Sequence, residues 1–566
     1  FIVEALDWLV IGVFFLALIG IIVWVVRQKQ NDSADYFLGG RDATWLAIGA
    51  SIFASNIGSE HLIGLAGAGA SSGMAMAHWE IQGWMILILG WVFVPFYSRS
   101  MVYTMPEFLE RRYNPQSRTI LSVISLVSYV LTKVAVTVYA GGLVFQQVFG
   151  IKELWGIDFF WIAAIGLVVL TALYTIFGGM KSVLYTSVLQ TPILLLGSLI
   201  ILVLGFKELG GWDEMMRVCG AVTVNDYGDT MTNLIRSNDD ANFPWLGALI
   251  GSAIIGFWYW CTDQFIVQRV LSGKNEKEAR RGTIFGAYLK LLPVFLFLIP
   301  GMIAFALHQK YIGAGGEGFL PMLANGTANA DAAFPTLVAK LLPAGVKGLV
   351  VCGILAALMS SLASLFNSSA MLFTIDFYKR FRPETPEKKL VGIGQIATVV
   401  IVILGILWIP IMRSVGDVLY TYLQDVQSVL APGIAAAFLL GICWKRTSAQ
   451  GGMWGLIAGM IIGLTRLGAK VYYSNAGEVA DSTFKYLFYD MNWLFFCGWM
   501  FLFCIIVVIV VSLATEAPTA EKIQGLVFGT ATKEQKAATR ASWDHWDIIH
   551  TVIILAITGA FYWYFW

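Results

Sequence analysis

Runs of about twenty consecutive apolar residues recur along almost the whole of this chain, and they restrict its fold more than any other feature. The first run covers residues 8–26, and similar runs follow to the last residues. An α-helix needs about 20 apolar residues to cross the hydrocarbon core of a bilayer. Because backbone groups in lipid must be satisfied within the segment, runs of this length fold as helices. The sequence therefore predicts an all-α polytopic membrane protein.

Composition supports this class and excludes others. The chain is 58% hydrophobic and only 13% charged, with a mean hydropathy of +0.73, whereas soluble proteins carry about 25% charged residues. No basic cluster of nucleic-acid size occurs, so a nucleic-acid partner is not expected. The six cysteines lack metal-ligand spacing and are typical of packing residues. No nucleophile–base pair or phosphate loop indicates an enzyme.

The apolar runs predict about fourteen transmembrane helices, with basic residues confined to alternate loops. The predicted spans are 4–27, 44–68, 77–99, 119–149, 158–178, 184–206, 245–270, 282–309, 345–378, 391–412, 416–441, 450–473, 485–514 and 544–565. The long loop 207–244 has three basic and seven acidic residues, which indicates the outer side of the membrane. We therefore expect both termini outside, in a plasma membrane or a bacterial inner membrane.

Two spans are too polar and glycine-rich at their middles to be continuous helices. They contain residues 49–61 and 256–263, and they begin the two halves of the membrane region. Interrupted helices at equivalent positions indicate the binding site of a transporter built from inverted repeats, although small-residue helix packing is an alternative. The predicted organisation is an N-terminal helix and linker (1–43), a five-helix repeat (44–206), an external loop (207–244), a second repeat (245–441) and three C-terminal helices (442–566).

Ionisable groups at membrane depth are costly and indicate function. Glu80 and Lys290 have apolar or aromatic neighbours on both sides, and with Asn56, His61 and Gln424 they offer donors and acceptors with little excess charge. A neutral polyhydroxylated ligand needs that mixture, because each hydroxyl both donates and accepts a hydrogen bond. A purely structural Glu80–Lys290 pair is the alternative. Asp376 and Arg466 lie near span ends and are expected to snorkel.

Aromatic residues accompany this polar set. Trp79, Trp258, Tyr259, Trp260 and Tyr420 lie near the proposed break and its facing helices. The C–H face of a sugar stacks on such rings, and a bulky ring can also close a pathway. Ordinary aromatic packing explains most individual rings, so only the adjacency to polar residues favours a functional interpretation.

The ninth span carries small and hydroxyl residues on one helical face. Ala357, Ser360, Ser361 and Ser364 follow the i, i+3, i+4, i+7 spacing. Their hydroxyls, with free carbonyls from the broken second span, would form an oxygen cage for Na⁺. Such a face also serves helix packing, and the nearby broken helix favours the ion site.

Four segments resemble the sodium/solute symporter family, in particular its sodium/glucose and sodium/galactose cotransporter branch. They are GASIFASNIGSEHLIGLAGAGASSG at 49–73, WYWCTDQFIVQR at 258–269, GAYLKLLPVFLFLIPGM at 286–302 and AALMSSLASLFNSS at 356–369. The resemblance implies a LeuT-like core of two inverted five-helix repeats. It also implies a sodium site made by the carbonyls of Ala54, Ile57 and Ala357 and the hydroxyls of Ser360 and Ser361.

The same resemblance implies roles around the sugar. The implied sugar-binding residues are Asn56, His61, Glu80, Trp260, Lys290 and Gln424. Tyr259 resembles an inner gate that stacks on the sugar. The outer hydrophobic gate is implied to be Leu65, Trp79 and Tyr420.

Several positions depart from the family pattern. His61 matches animal glucose carriers, where a bacterial galactose carrier has glutamine, and Gly83 replaces a serine of that carrier. Gly256 stands where relatives place a polar side chain, so one sugar contact is expected to be missing or replaced by water. Thr421 stands where some animal members have aspartate. Ser187 occupies a position often held by an aspartate linked to a second sodium, which favours one sodium per sugar.

The sequence thus predicts uptake of a neutral sugar, glucose or galactose, coupled to inward sodium flux by alternating access. No cofactor is expected besides the coupling ion, and the expected partners are the sugar, sodium and membrane lipid, with the chain a monomer or weak homo-oligomer. Within the transporter class the alternative substrates are myo-inositol and related polyols, then sialic acid or another substrate of the family. An uncoupled sensor or channel is the alternative activity.

Overall fold

The computed structural model describes residues 4–28, 32–58, 60–322, 326–415 and 417–566; within these ranges, the side chains of residues 411–426 and of a few scattered positions are not described. Helices dominate it. The first half contains α1 Ala5–Val26, α2 Ser33–Leu38, α3 Trp45–Asn56, α4 Ala66–Ser71, α5 Ala77–Glu80, α6 Gly83–Ile88, α7 Val94–Ser100, α8 Met105–Arg112, α9 Pro115–Ser128, α10 Ala135–Phe149, α11 Phe159–Leu209 and α12 Trp212–Gly220.

The second half continues with α13 Trp245–Gly256, α14 Gln264–Leu271, α15 Glu276–Lys290, α16 Ile299–Gly313, α17 Ala333–Leu341, α18 Val346–Met371, α19 Glu387–Val415, α20 Asp417–Cys443, α21 Ala449–Asn475, α22 Thr483–Lys485, α23 Trp493–Ala514, α24 Ala520–Ile523, α25 Lys533–Ala541 and α26 His545–Phe565. One short antiparallel hairpin, β1 Glu153–Leu154 and β2 Ile157–Asp158, lies in the connection between α10 and α11.

Short π-helical and 3₁₀ segments connect several of these helices. The π-helical segments are Glu60–Leu65, Leu89–Phe93, Tyr129–Val134, Phe257–Thr262, Val294–Leu298, Leu372–Lys379 and Tyr486–Asp490. The 3₁₀ segments are Gly39–Arg41, Gly73–Met76 and Ala330–Ala332. Single π turns in membrane helices often accompany functional sites.

Ten helices among the described residues are long and apolar enough to cross a membrane, which confirms the polytopic class. Three shorter apolar helices, Trp45–Asn56, Ala135–Gln146 and Gln427–Cys443, accompany them. The count of fourteen spans stays a prediction. The span predicted from residue 485 begins later, at Trp493, because Met491 and Asn492 have extended backbone and the Asn492 side chain accepts from the Leu494 amide at 3.0 Å.

The spans predicted at 158–178 and 184–206 lie within α11 and are separated by a break at Gly179. This glycine has φ 60° and ψ −150°, a conformation that side-chain-bearing residues rarely adopt. The Ser182 hydroxyl lies 2.9 Å from the carbonyl oxygens of both Tyr174 and Gly179, so its one hydrogen bonds to backbone acceptors beside the break.

Both predicted helix interruptions are present. Helix α3 ends at Asn56, and Ile57 has φ −76° and ψ 119° before the π-helical segment Glu60–Leu65. Helix α13 continues as the π-helical segment Phe257–Thr262, and Asp263 has φ −84° and ψ 131° before α14. The broken α3 packs on α15, α11 and the deeply buried α18. The two breaks therefore lie inside protein, where freed backbone groups can find partners.

The expectation that Asp376 and Arg466 snorkel is wrong. Asp376 is fully buried and accepts from the Thr104 hydroxyl at 2.8 Å and from Arg118 at 2.9 Å. Arg466 is 2% exposed and lies 4.2 Å from the ring centroid of Phe496. Partners inside the protein replace water for both groups, which a linear pattern could not reveal.

Asp7 in α1 caps the buried helix α18. Its carboxylate accepts from the amides of Gly345 and Gly348 at 2.6 and 2.8 Å, and the side chain is fully buried. Two amides at a helix N-terminus would otherwise lack partners.

We expect Asp7→Ala to lower stability by about 1–2 kcal/mol through loss of this cap. Thermal unfolding of the detergent-solubilised protein measures the effect. Asp239→Ala is the matched control, because Asp239 is an exposed aspartate in the 207–244 loop. Equal midpoints for the two variants would contradict the capping role.

Candidate functional site

A cavity of about 140 Å³ lies between the two broken helices. Seven predicted solute or gate residues line it: Asn56, His61, Trp79, Glu80, Tyr259, Trp260 and Lys290. Each of them belongs to a helix end or to a π-helical segment. Irregular backbone thus brings together side chains from α3, α5, α15 and the π-helical segments Glu60–Leu65 and Phe257–Thr262, as the interrupted spans predicted.

An ion pair crosses this cavity. The Lys290 ammonium donates to Glu80 Oε2 at 2.7 Å and to Asn56 Oδ1 at 2.8 Å. His61 Nε2 lies 3.0 Å from the same carboxylate oxygen. Lys290 and His61 are 2% and 5% exposed, so the charges are largely withdrawn from water. The network presents polar atoms to the cavity while the lysine and glutamate charges cancel.

The aromatic residues that line the cavity contact the same network. Asn56 donates through Nδ2 to the Tyr259 hydroxyl at 3.0 Å. Tyr259 meets Trp260 edge to face with ring centroids 4.8 Å apart. The Lys290 ammonium lies 5.3 Å from the Trp260 ring centroid, within cation–π range. These contacts hold the rings in fixed orientations around the cavity.

The residues predicted to form the outer gate differ in their placement. Trp79 lines the cavity and stacks on Trp493 with ring centroids 5.5 Å apart and planes 15° apart. Phe243 of the 207–244 loop meets the same indole edge to face at 5.8 Å. Leu65 is buried but does not line the cavity. The side chains of Tyr420 and Gln424 lie outside the described residues.

The predicted sodium ligands lie where the end of α3 meets α18. Ala54, Ile57, Ala357, Ser360 and Ser361 are all buried. The Ser361 hydroxyl donates to Ser55 O at 2.9 Å, and the Ser360 hydroxyl donates to Gln190 Oε1. Because a hydroxyl that donates its hydrogen keeps its lone pairs for a cation, this arrangement fits a sodium ligand set.

Close backbone approach fixes this junction. A Cβ atom at Gly58 would lie 2.9 Å from Ser361 Oγ, so a larger residue at 58 would displace the Ser361 hydroxyl. Ser361 and Gly58 also line the cavity. The proposed ion ligands and the proposed solute ligands therefore share one junction.

Sequence reasoning missed part of the site. The sequence assigns no role to Lys133, yet it lines the cavity and pairs with Asp263 at 2.9 Å. Its ammonium also lies 4.7–5.3 Å from the ring centroids of Tyr129, Trp258, Tyr259 and Phe265. Gln82, Thr137 and Gln427 line the cavity as well. None of the three stands out in sequence, because neutral polar residues are common in membrane helices.

The cavity is suited to reversible binding. In the part of the chain that the structure describes, no group of three or more His, Cys, Asp or Glu residues could hold a metal ion in the manner of a catalytic centre. The lining instead combines hydrogen-bonding groups with aromatic faces, which suits a polar solute with apolar C–H faces.

Comparison with known proteins gives a family match over most of the chain. Residues 36–459 match the model of the sodium:solute symporter family. Sodium/myo-inositol cotransporter 2 of Mus musculus is 37% identical over 541 residues, covering 93% of this chain and 79% of the relative. Sodium/glucose cotransporter 4 of Danio rerio is 35% identical over 562 residues, covering 96% and 84%.

Solved structures agree with the fold. A substrate-bound, outward-open Na⁺-coupled sialic acid symporter aligns with a TM-score of 0.71 and 22% identity, covering 91% of this chain and 99% of that one. MhsT in complex with L-phenylalanine aligns with a TM-score of 0.50 and 12% identity, covering 84% and 99%. These alignments confirm that the core has the predicted LeuT-like fold.

We expect the buried Lys133–Asp263 pair to behave as a coupled unit. Lys133→Met leaves a buried carboxylate without its cation and should cost about 3–5 kcal/mol. The double variant Lys133→Met/Asp263→Asn should cost clearly less than the sum of the two single changes.

Thermal unfolding in detergent measures this cycle. Lys181→Met is the matched control, because Lys181 lies 3.7 Å from the half-exposed Asp42, and surface pairs contribute about 0–1 kcal/mol. Additive losses for Lys133 and Asp263 would show that the pair is not coupled.

Proposed function

This chain belongs to the sodium:solute symporter family and is a multi-pass membrane transporter, not an enzyme, and we propose that it carries a neutral polyhydroxylated ring, a hexose or myo-inositol, into the cell with sodium. The observation that carries this proposal is the Lys290–Glu80–His61–Asn56 network on the cavity wall. It supplies hydrogen-bond donors and acceptors for hydroxyl groups, and the charges of its lysine and glutamate cancel.

Charge balance supports a neutral solute. The two lysines that line the cavity, Lys290 and Lys133, each have a carboxylate within 2.9 Å. A carboxylate-bearing solute would need a cation without such a partner, and an amine would need a carboxylate without one. The alternative of an anionic family substrate such as sialic acid is therefore disfavoured.

The relatives' names support both ring types, because they include myo-inositol and glucose cotransporters. Rings of both kinds present several hydroxyls around an apolar C–H face. Trp260 and Tyr259, held at 88° to each other, offer a face and an edge for such a ring. Glucose, galactose and myo-inositol are thus the substrates to test first.

Sodium coupling in this proposal acts through the junction of α3 and α18. The carbonyls of Ala54, Ile57 and Ala357, with the hydroxyls of Ser360 and Ser361, would hold Na⁺ and fix the broken helix against α18. Residue 187 is a neutral serine where the family often has an aspartate linked to a second sodium, which supports one sodium per solute. One charge moved through 100 mV contributes about 2.3 kcal/mol, enough for roughly fiftyfold accumulation.

Alternating access would use the aromatic groups on the two sides of the cavity. Trp79, stacked on Trp493, would close the outer side, and Tyr259, bonded to Asn56, would close the inner side. Sodium binding at the α3–α18 junction would favour the outward-open state. We also propose that both termini lie outside, as the loop charges predict.

Uptake into proteoliposomes tests the substrate and the coupling together. Labelled glucose, galactose, myo-inositol and sialic acid are compared with sodium or potassium outside. We expect concentrative uptake of at least one neutral ring with sodium only. Equal rates in sodium and potassium would instead support an uncoupled channel or sensor, and preferential uptake of sialic acid would overturn the neutral substrate.

Ser361→Ala tests the proposed sodium site. Loss of one hydroxyl ligand should weaken the apparent sodium affinity by about tenfold or more. A polar contact of this kind contributes about 1–1.5 kcal/mol of free energy, and about 1.4 kcal/mol corresponds to a tenfold change in affinity. Ser368→Ala is the matched control on the same helix, and the Ser368 hydroxyl has no hydrogen-bond partner among the described residues. Unchanged sodium dependence in Ser361→Ala would refute the assignment.

A further inference from the structure

Gln82 is a buried amide at the cavity wall. It lies in the turn between α5 and α6, two residues after Glu80, and is 3% exposed. Ile81 and Gln82 leave helical geometry, with φ −86°, ψ 48° and φ −104°, ψ 25°. This turn directs the glutamine side chain toward the break in the second half of the molecule.

Two hydrogen bonds fix the orientation of the Gln82 amide. Its Nε2 donates to Ser252 O at 2.8 Å, and its Oε1 accepts from Trp260 Nε1 at 3.2 Å. A carbonyl only accepts and an indole N–H only donates, so the oxygen and nitrogen of the amide cannot be exchanged. Gln82 thus connects α13 to the indole that forms the cavity wall.

Gly256 provides the space for this amide. A Cβ atom at residue 256 would lie 2.8 Å from Gln82 Nε2, 2.9 Å from its Oε1 and 3.0 Å from its Cδ. Any side chain at 256 would therefore collide with the glutamine. The Gln82 amide therefore occupies the space that a side chain at 256 would take, while the expectation of a missing contact or a water at this position stays a prediction.

We propose that Gln82 is a solute-binding residue that determines specificity, replacing the polar group expected at 256. The inference rests on the proposed transport of a polyhydroxylated ring. After its two bonds to the protein, the amide retains one N–H hydrogen and one oxygen lone pair. Both can bind a single hydroxyl of the solute, which donates to the oxygen and accepts from the nitrogen.

This arrangement selects stereochemistry at one ring carbon. A hydroxyl that points toward Gln82 gains two hydrogen bonds, whereas its epimer or deoxy analogue leaves buried amide atoms without partners. Sites built to bond a hydroxyl discriminate strongly against analogues that lack it. The fixed Trp260 indole stacks on the same ring and keeps that carbon beside the amide.

A comparison of deoxy analogues in wild type and Gln82→Met tests the assignment. The preferred ring from the uptake panel and its monodeoxy analogues compete for sodium-dependent uptake in proteoliposomes. In wild type, one deoxy position should raise the apparent KM about tenfold or more. In Gln82→Met, which keeps side-chain length without hydrogen bonds, that position should cost less than twofold, while penalties at the other positions persist.

The outcomes separate this inference from the proposed function. Absence of sodium-dependent uptake by wild type for every ring overturns the proposed function. Uptake by wild type with the same pattern of deoxy penalties in Gln82→Met overturns the assignment of Gln82 alone. A uniform loss at all positions in Gln82→Met would also overturn it, because that result describes a structural role.

A second pair of variants tests the fit between residues 82 and 256 without transport. Gly256→Ala should lower the thermal midpoint in the wild-type background but have little effect in Gln82→Ala, where the amide is gone. Gly166→Ala in α11 is the matched control, because a Cβ atom there meets nothing within 4 Å. Equal effects of Gly256→Ala in both backgrounds would contradict the complementarity.

Discussion

The interruption of α3 after Asn56 is the constraint on which the rest of the structure depends. A broken backbone inside a membrane leaves carbonyls and amides that lipid cannot satisfy. The chain places this break between α18 and α15, and the Ser361 hydroxyl bonds the released carbonyl of Ser55. The second break, at Asp263, lies across the same cavity. Both breaks, which lipid could not accommodate, thereby lie beside one polar cavity inside the protein.

Buried charge is handled in the same way on both sides of the cavity. Lys290 and Lys133 each pair with a carboxylate from another helix, Glu80 and Asp263. Withdrawing charges from water is expensive, and pairing offsets that cost only when further hydrogen bonds and good geometry are present. Asn56, His61 and four aromatic rings provide them. A cavity rich in charged residues can therefore suit an uncharged solute.

Much of this could be predicted from sequence, for identifiable reasons. Apolar run length fixes helices, and Glu80 and Lys290 stand out because charges are rare at membrane depth. Lys133 and Asp263 are also charged residues in apolar segments, but their pairing across 130 positions is tertiary information. Gln82 was missed because a neutral amide carries no such signal, and its role depends on the absence of a side chain at Gly256. The burial of Asp376 likewise depends on Arg118, which another helix supplies.

The position of Ser361 gives a physical reason for coupling. It contacts the broken end of α3, belongs to the proposed ion ligands and lines the solute cavity. An ion that fixes α3 against α18 also fixes Asn56, the last residue of α3, and Asn56 holds both Lys290 and Tyr259. Solute that binds this ordered set needs less reorganisation when the ion is present. Linkage then requires the solute to strengthen ion binding by the same factor, so one junction can couple the two fluxes.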